Sequence, residues 1–173
     1  MKLVRPDLAL LDAALAGDEA LAARLGVPVA AGWVSFAGAL AHTRERRAQD
    51  GDEPRWGTCF FVTSSPSELV GWGGFKGPPA EDGTVEIGYE IAPGRRGRGL
   101  ATAAARAMVA DAFAEPAVRR VVAHTLPEPN ASNHVLEKLG FRFDGDALER
   151  GTRVWRWALA RPADAGAGSG PDA

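Results

Sequence analysis

A basic, glycine-rich run is the stretch whose residue types most directly suggest chemistry: Arg95-Arg96-Gly97-Arg98-Gly99-Leu100-Ala101-Thr102. Gly97 and Gly99 have no side chain, and Ala101 has a small one, so the backbone can come close to a bound molecule. A helix opening near Leu100 would add unpaired N–H groups and the positive end of its dipole. With the arginine forks, these groups make a seat for a pyrophosphate. The competing reading is a basic surface turn. No Gly-Lys-Ser/Thr closes the run, so it is not a Walker A loop. No dinucleotide fingerprint opens a βαβ unit with an acidic residue at the required distance.

Isolated reactive groups lie elsewhere. Three histidines (His42, His124, His134) and one cysteine (Cys59) are too scattered in sequence to suggest a metal site. Cys59 sits mid-strand beside Phe60 and reads as core, since a nucleophilic thiol needs an activating base. His124 falls within an apolar strand, where a satisfied histidine is commoner than a catalytic one.

The glycine run must be positioned by its neighbours. Thr84 to Ile91 alternates as a strand: Val85, Ile87, Tyr89 and Ile91 face one way, Glu86, Gly88 and Glu90 the other. Tyr89 thus reads as core packing. Pro93-Gly94 ends the strand, and Leu100 to Ala114 reads as a helix with Leu100, Ala104, Met108 and Phe113 as its apolar stripe. Arg120 to Leu126 is a further strand. Ser132 is placed to N-cap a helix that runs through Leu139 and stops at Gly140.

Upstream, Pro6 to Leu25 has helical spacing interrupted at Gly17-Asp18, with Asp18 able to N-cap the second piece. Ala37 to Gln49 is helical, and its Arg44-Glu45-Arg46-Arg47 stretch reads as a solvated helix end. Thr58 to Thr63, Glu68 to Phe75 and Thr152 to Leu159 are strands, the last being a final strand or hairpin. Trp33, Trp56 and Trp72, with Gly73-Gly74, are candidates to line an acceptor side, and buried structural aromatics are the simpler reading. The order predicts a mixed α/β domain over 1–161, not a doubly wound sheet, followed by a disordered Gly/Ala/Asp-rich tail at 162–173.

Composition fits this reading. The chain has 173 residues, which suits one domain, and such a chain buries about two-thirds of its unfolded surface. A net charge of -2 argues against nucleic acid or an anionic membrane as partner. The single cysteine fits a reducing compartment, and no signal peptide or membrane-spanning run is visible, so a cytoplasmic location is expected.

Three stretches together resemble the GNAT acetyltransferase superfamily, and within it the branch of ribosomal-protein N-acetyltransferases. VEIGYEI (Val85 to Ile91) is similar to the family's fourth strand, and APGRRGRGLATAAA (Ala92 to Ala105) to its pyrophosphate loop and helix. LPEPNASNHVLEKLGF (Leu126 to Phe141) is similar to the fifth-strand exit and the helix after it. The resemblance spans roughly Leu8 to Leu159 and implies a central, twisted mixed sheet flanked by helices. In that fold the fourth and fifth strands splay apart and acetyl-coenzyme A lies in the gap.

The resemblance further implies that the backbone of Glu90, Ile91 and Ala92 pairs with the pantetheine arm. Arg96, Gly97, Arg98, Gly99, Leu100, Ala101 and Thr102 hold the pyrophosphate, and Asn130 contacts the pantetheine end. In many relatives an Asn stands three residues before the Ser. Here Pro129 does, and Asn133 could substitute.

The implied activity is acetyl transfer from acetyl-coenzyme A to a primary amine, on a small molecule or a peptide N-terminus, in a ternary complex. Glu86 is the candidate base, with a surface carboxylate as its alternative role. Ser132 is the candidate acid for the departing thiolate, as in the ribosomal-protein branch, and one hydroxyl can also cap a helix. No metal is required, and a monomer or homodimer fits. The alternative function is a non-catalytic coenzyme A-binding or regulatory domain on the same fold.

Overall fold

A computed structural model describes residues 1–35, 37–50 and 54–162. Of the expected tail, 163–173 lies outside the described residues.

Seven strands form one sheet in the order β1-β2-β3-β4-β5-β7-β6: β1 (Lys2–Val4), β2 (Thr58–Val62), β3 (Leu69–Phe75), β4 (Thr84–Ile91), β5 (Arg120–Thr125), β6 (Arg142–Glu149) and β7 (Thr152–Ala160). Every neighbouring pair is antiparallel except β4 and β5, which are parallel. A parallel pair needs a crossover, and the glycine run plus α4 (Leu100–Phe113) provide it. The mixed α/β prediction therefore stands.

Helices α1 (Leu8–Ala16), α2 (Asp18–Leu25) and α3 (Ala37–Asp50) pack on one face of the sheet. Leu10, Leu11, Leu21, Trp33 and Leu40 meet Phe60, Val62 and Leu69 there. On the other face, Ala104, Met108 and Ala112 of α4 and Leu136 of α5 (Ala131–Lys138) pack on Phe61, Val70, Val85, Ile87 and Val121. The sheet is thus covered on both sides, as its nearly continuous burial through β2, β3 and β5 demands.

Local chemistry sets the helix ends. Asp7 caps α1 by accepting the Leu10 N–H at 2.7 Å. The expected cap of α2 is corrected: Gly17 is its N-cap, and Asp18 lies within the first turn, where its carboxylate accepts the Trp33 indole N–H at 3.0 Å. A first-turn carboxylate also opposes the positive helix end. The Arg44 to Arg47 stretch is more than a solvated end, because Arg44 pairs with Asp12 and Arg47 donates to the Pro6 carbonyl, tying α3 to α1. Two strands were not foreseen as separate elements. β1 is only three residues long, and β6 carries Arg142, Asp144, Asp146 and Glu149 on a largely exposed edge.

Leu11 is fully buried between α1 and the sheet. Leu11→Ala should cost about 2–5 kcal/mol of stability, measured as a shift in urea midpoint with an unchanged slope.

Candidate acyl-transfer site

β4 and β5 pair only from Thr84↔Arg120 to Ile87↔Ala123. Beyond this point Gly88 to Ile91 have no partner on the β5 side, while His124 and Thr125 stay paired with Arg156 and Trp155 of β7. The two strands therefore splay, as the resemblance implied. Main-chain groups alternate in direction along a strand. The Glu86 carbonyl accepts from Lys76 N, and Ala92 N donates to the Val70 carbonyl, so both face the β3 side. The main-chain groups of Tyr89 and Ile91 consequently face the open wedge. The Ile91 carbonyl already accepts the Arg96 Nε at 3.0 Å.

The glycine run closes the wide end of the wedge. After a short helical turn at Pro93–Arg95, Gly97 and Gly99 both adopt left-handed backbone, at φ 74° and 73°. A Cβ at either would strain the backbone but meet no atom within 4 Å, so the loop is an open cradle rather than a packed turn. Gly99 is the N-cap of α4 and offers no side chain, which leaves the first N–H groups of the helix uncapped. The three arginines differ. Arg95 is locked in a two-pronged pair with Glu68, at 2.7 and 2.6 Å, which holds the Glu68 carboxyl below its usual pKa. Arg96 braces the end of β4. Arg98 is exposed and has no ion-pair partner among the described residues.

On the α5 side the expected cap is corrected. Asn130, not Ser132, is the N-cap, accepting the N–H of Ser132 at 2.9 Å and of Asn133 at 3.2 Å. Its amide group also donates to the Glu128 carbonyl, so Asn130 is committed to local structure. Asn133 is buried and donates to the same carbonyl, yet its own Oδ1 has no partner among the described residues. The Tyr89 hydroxyl is likewise buried without a well-formed partner. Burial pushes its pKa up to about 12, against a lowering influence from Ser132 beside it. A phenol and a serine hydroxyl thus meet beside the splayed part of β4, and the orphaned amide oxygen belongs to the next residue of α5. Buried polar atoms left unpaired by the protein are apt partners for a ligand.

On the opposite face of β4, Glu86 Oε1 accepts from Lys76 Nζ at 2.5 Å and lies 2.8 Å from His124 Nδ1. Lys76 also pairs with Glu149. Burial works to lower the Lys76 pKa, but the hydrogen bonds it donates to Glu149 and Glu86 outweigh it and the ammonium is held charged; the bond from Lys76 lowers Glu149. Sequence scatter suggested no cluster of metal-ligating side chains, yet ligand atoms of Glu86, His124 and Glu149 lie within 4.8 Å of one another. The Lys76 ammonium bonds to two of the three. Next to this cluster is a cleft of about 740 Å³ lined by Trp72, Gly73, Gly74, Lys76, Gly88 and Glu90. Glu90 is fixed there by the Trp72 indole at 3.0 Å and by the Ser35 hydroxyl. Trp33 and Trp56 are buried, as foreseen, whereas Trp72 lines the cleft. Cys59 is buried core, its thiol pushed up to about 11 by burial, which disfavours the thiolate.

These features match known proteins. The model of the acetyltransferase (GNAT) domain family matches residues 2–142, and the chain belongs to that family. It is similar to the uncharacterized N-acetyltransferase YjdG of Bacillus subtilis, with 30% identity over 151 residues, 86% of this chain and 90% of that protein. Among solved structures it is similar to Mycobacterium smegmatis RimJ in complex with CoA-disulfide, with 26% identity, TM-score 0.56, and coverage of 73% of this chain and 61% of the other. A spermidine N-acetyltransferase from Vibrio cholerae shares the fold, with TM-score 0.66 at 15% identity and coverage of 92% and 95%. No helix among the described residues is long and apolar enough to cross a membrane.

Because Asn130 caps α5 and Ser132 does not, Asn130→Ala should lose about 1 kcal/mol of stability. Ser132→Ala should lose far less, and paired thermal melts of the two variants measure the difference.

Proposed function

We propose that this acetyltransferase moves the acetyl group of acetyl-coenzyme A directly to a primary amine in a ternary complex. The observation that carries the reading is the uncapped N-terminus of α4, with its left-handed glycines, at the wide end of a wedge with an open main-chain edge. The residues present fit the coenzyme. The N–H groups of Leu100, Ala101 and Thr102 and the side chain of Arg98 suit a pyrophosphate, and Arg96 shapes the cradle. The open edge at Tyr89 and Ile91 suits the amide-bearing pantetheine arm, and Asn133 rather than Asn130 has the group to spare. When bound, acetyl-coenzyme A supplies an activated acyl thioester.

The chain's own residues then manage protons and position. Glu86 takes a proton from the incoming ammonium, and His124, hydrogen-bonded to the same carboxylate, holds it in place or passes the proton on. Ser132, beside the Tyr89 hydroxyl, is placed to protonate the departing thiolate. The main-chain N–H groups on the open edge of β4 can polarise the thioester carbonyl. Glu90 in the cleft and Glu86 next to it are carboxylates that suit a cationic acceptor, an amine on a small molecule or a peptide N-terminus. The similarity to RimJ and to a spermidine N-acetyltransferase is compatible with either class.

A non-catalytic coenzyme A-binding domain is the second reading, favoured only by Glu86 being already hydrogen-bonded. Calorimetric titration with acetyl-coenzyme A should give micromolar binding. Gly97→Val should weaken it by at least about tenfold, a loss of ~1.4 kcal/mol. Turnover against an amine panel separates the two readings. In the enzyme, Glu86→Gln should lower kcat by about 10²–10⁴ with coenzyme affinity unchanged. A wild-type protein that binds acetyl-coenzyme A and acetylates no amine would refute the catalytic reading.

A further inference from the structure

The Lys76 ammonium occupies the place that an acceptor amine needs. It touches Glu86 Oε1, the oxygen that also meets His124, and it lines the cleft. Glu86 lies opposite Val122 within the last parallel pairs, so this oxygen sits beside the closed apex of the wedge. A pyrophosphate seated at Gly97 to Thr102 lies past the other end of β4. An arm running from that seat along the open edge, from Ile91 back to Gly88, directs its reactive end toward the apex and therefore toward Lys76.

The residue type adds a second observation. The chain has 20 Lys and Arg together, yet only Lys2, Lys76 and Lys138 are lysines. An arginine could pair with Glu86 and Glu149 equally well, but it does not lose a proton at accessible pH. The one cation set against the candidate base is thus one that can become a neutral amine. It is half-exposed on a flexible stem, and the Lys76 main-chain N–H is anchored to the Glu86 carbonyl at 3.0 Å.

We propose that Lys76 is itself an acceptor, and that the protein acetylates this side chain from acetyl-coenzyme A when no other amine fills the cleft. The inference rests on the acyl-transfer reading above. One proton of the ammonium passes to Glu86 and on to solvent. The amine lone pair attacks the thioester carbonyl carbon, a C–N bond forms and the C–S bond breaks. The departing sulfur takes the amine's second proton and leaves as the free thiol. The product is a neutral amide that can no longer form ion pairs with Glu86 and Glu149, so the modification rewrites the charge of the cleft as well as filling part of it.

The test is incubation of the full chain with acetyl-coenzyme A alone, followed by peptide mass mapping over time. Lys2 and Lys138, both exposed, are internal controls for uncatalysed acetylation. Lys76 should gain an acetyl group at least about tenfold faster than either control, with a rate independent of protein concentration. Glu86→Gln should bring it down to the control rate. Lys76→Arg, which keeps a cation at the ion pair, should remove the modification from that peptide. Lys76 reacting no faster than Lys2 and Lys138, in a protein that binds acetyl-coenzyme A and acetylates an added amine, overturns the proposal and leaves the acyl-transfer reading intact. Failure to bind acetyl-coenzyme A by calorimetry overturns both.

Discussion

The parallel pairing of β4 with β5, and its early end at Ile87↔Ala123, is the constraint on which the other features depend. A parallel partner cannot be reached by a tight turn, so the chain must cross over the sheet, and it does so through a glycine loop and a helix. That route places the N-terminus of α4 at the end of β4, where its free N–H groups and dipole are next to the splayed strands. Had the pairing continued to Ile91, the edge groups of Tyr89 and Ile91 would be used by β5 and no wedge would exist. One register decision thus generates both the uncapped helix end and the slot leading from it.

The two faces of β4 then take different tasks, because side chains alternate across a strand. Tyr89 points to the α4 side, beside Ser132. Glu86 and Glu90 point to the α1–α3 side and meet Lys76, His124, Trp72 and Ser35. This division explains why a single eight-residue strand carries most of the candidate chemistry.

Much of this was legible in the sequence where one local rule spoke alone. The strict alternation from Thr84 to Ile91 gave β4 to the residue, and the glycine run between strand and helix gave the crossover. Legibility failed where two residues satisfied the same rule: in Asn130-Ala131-Ser132-Asn133 either Asn130 or Ser132 can cap, and only the extended backbone at Asn130, with φ -150°, decides. It also failed where a strand was held by partners rather than pattern, as in β1 and the charged β6. The Lys76–Glu86 contact was hidden for a different reason. It follows from the β3–β4 register, in which Phe75 faces Ile87, and a connection as long as that from Phe75 to Thr84 does not fix the register as a tight two-residue turn would. Glu149 and His124 arrive from β6 and β5, beyond any local spacing.

The pair between Arg95 and Glu68 has an implication for how the loop responds to its solution. Two short, parallel hydrogen bonds anchor the start of the loop to the residue just before β3, with the carboxylate largely shielded from water. Arg98, by contrast, is exposed and makes no ion pair among the described residues. Mobile ions weaken interactions across several ångströms far more than a contact pair. Raising ionic strength should therefore weaken the long-range field of Arg98 while leaving the loop's shape unaltered. Loop shape and electrostatic reach, though carried by arginines three residues apart, are separable.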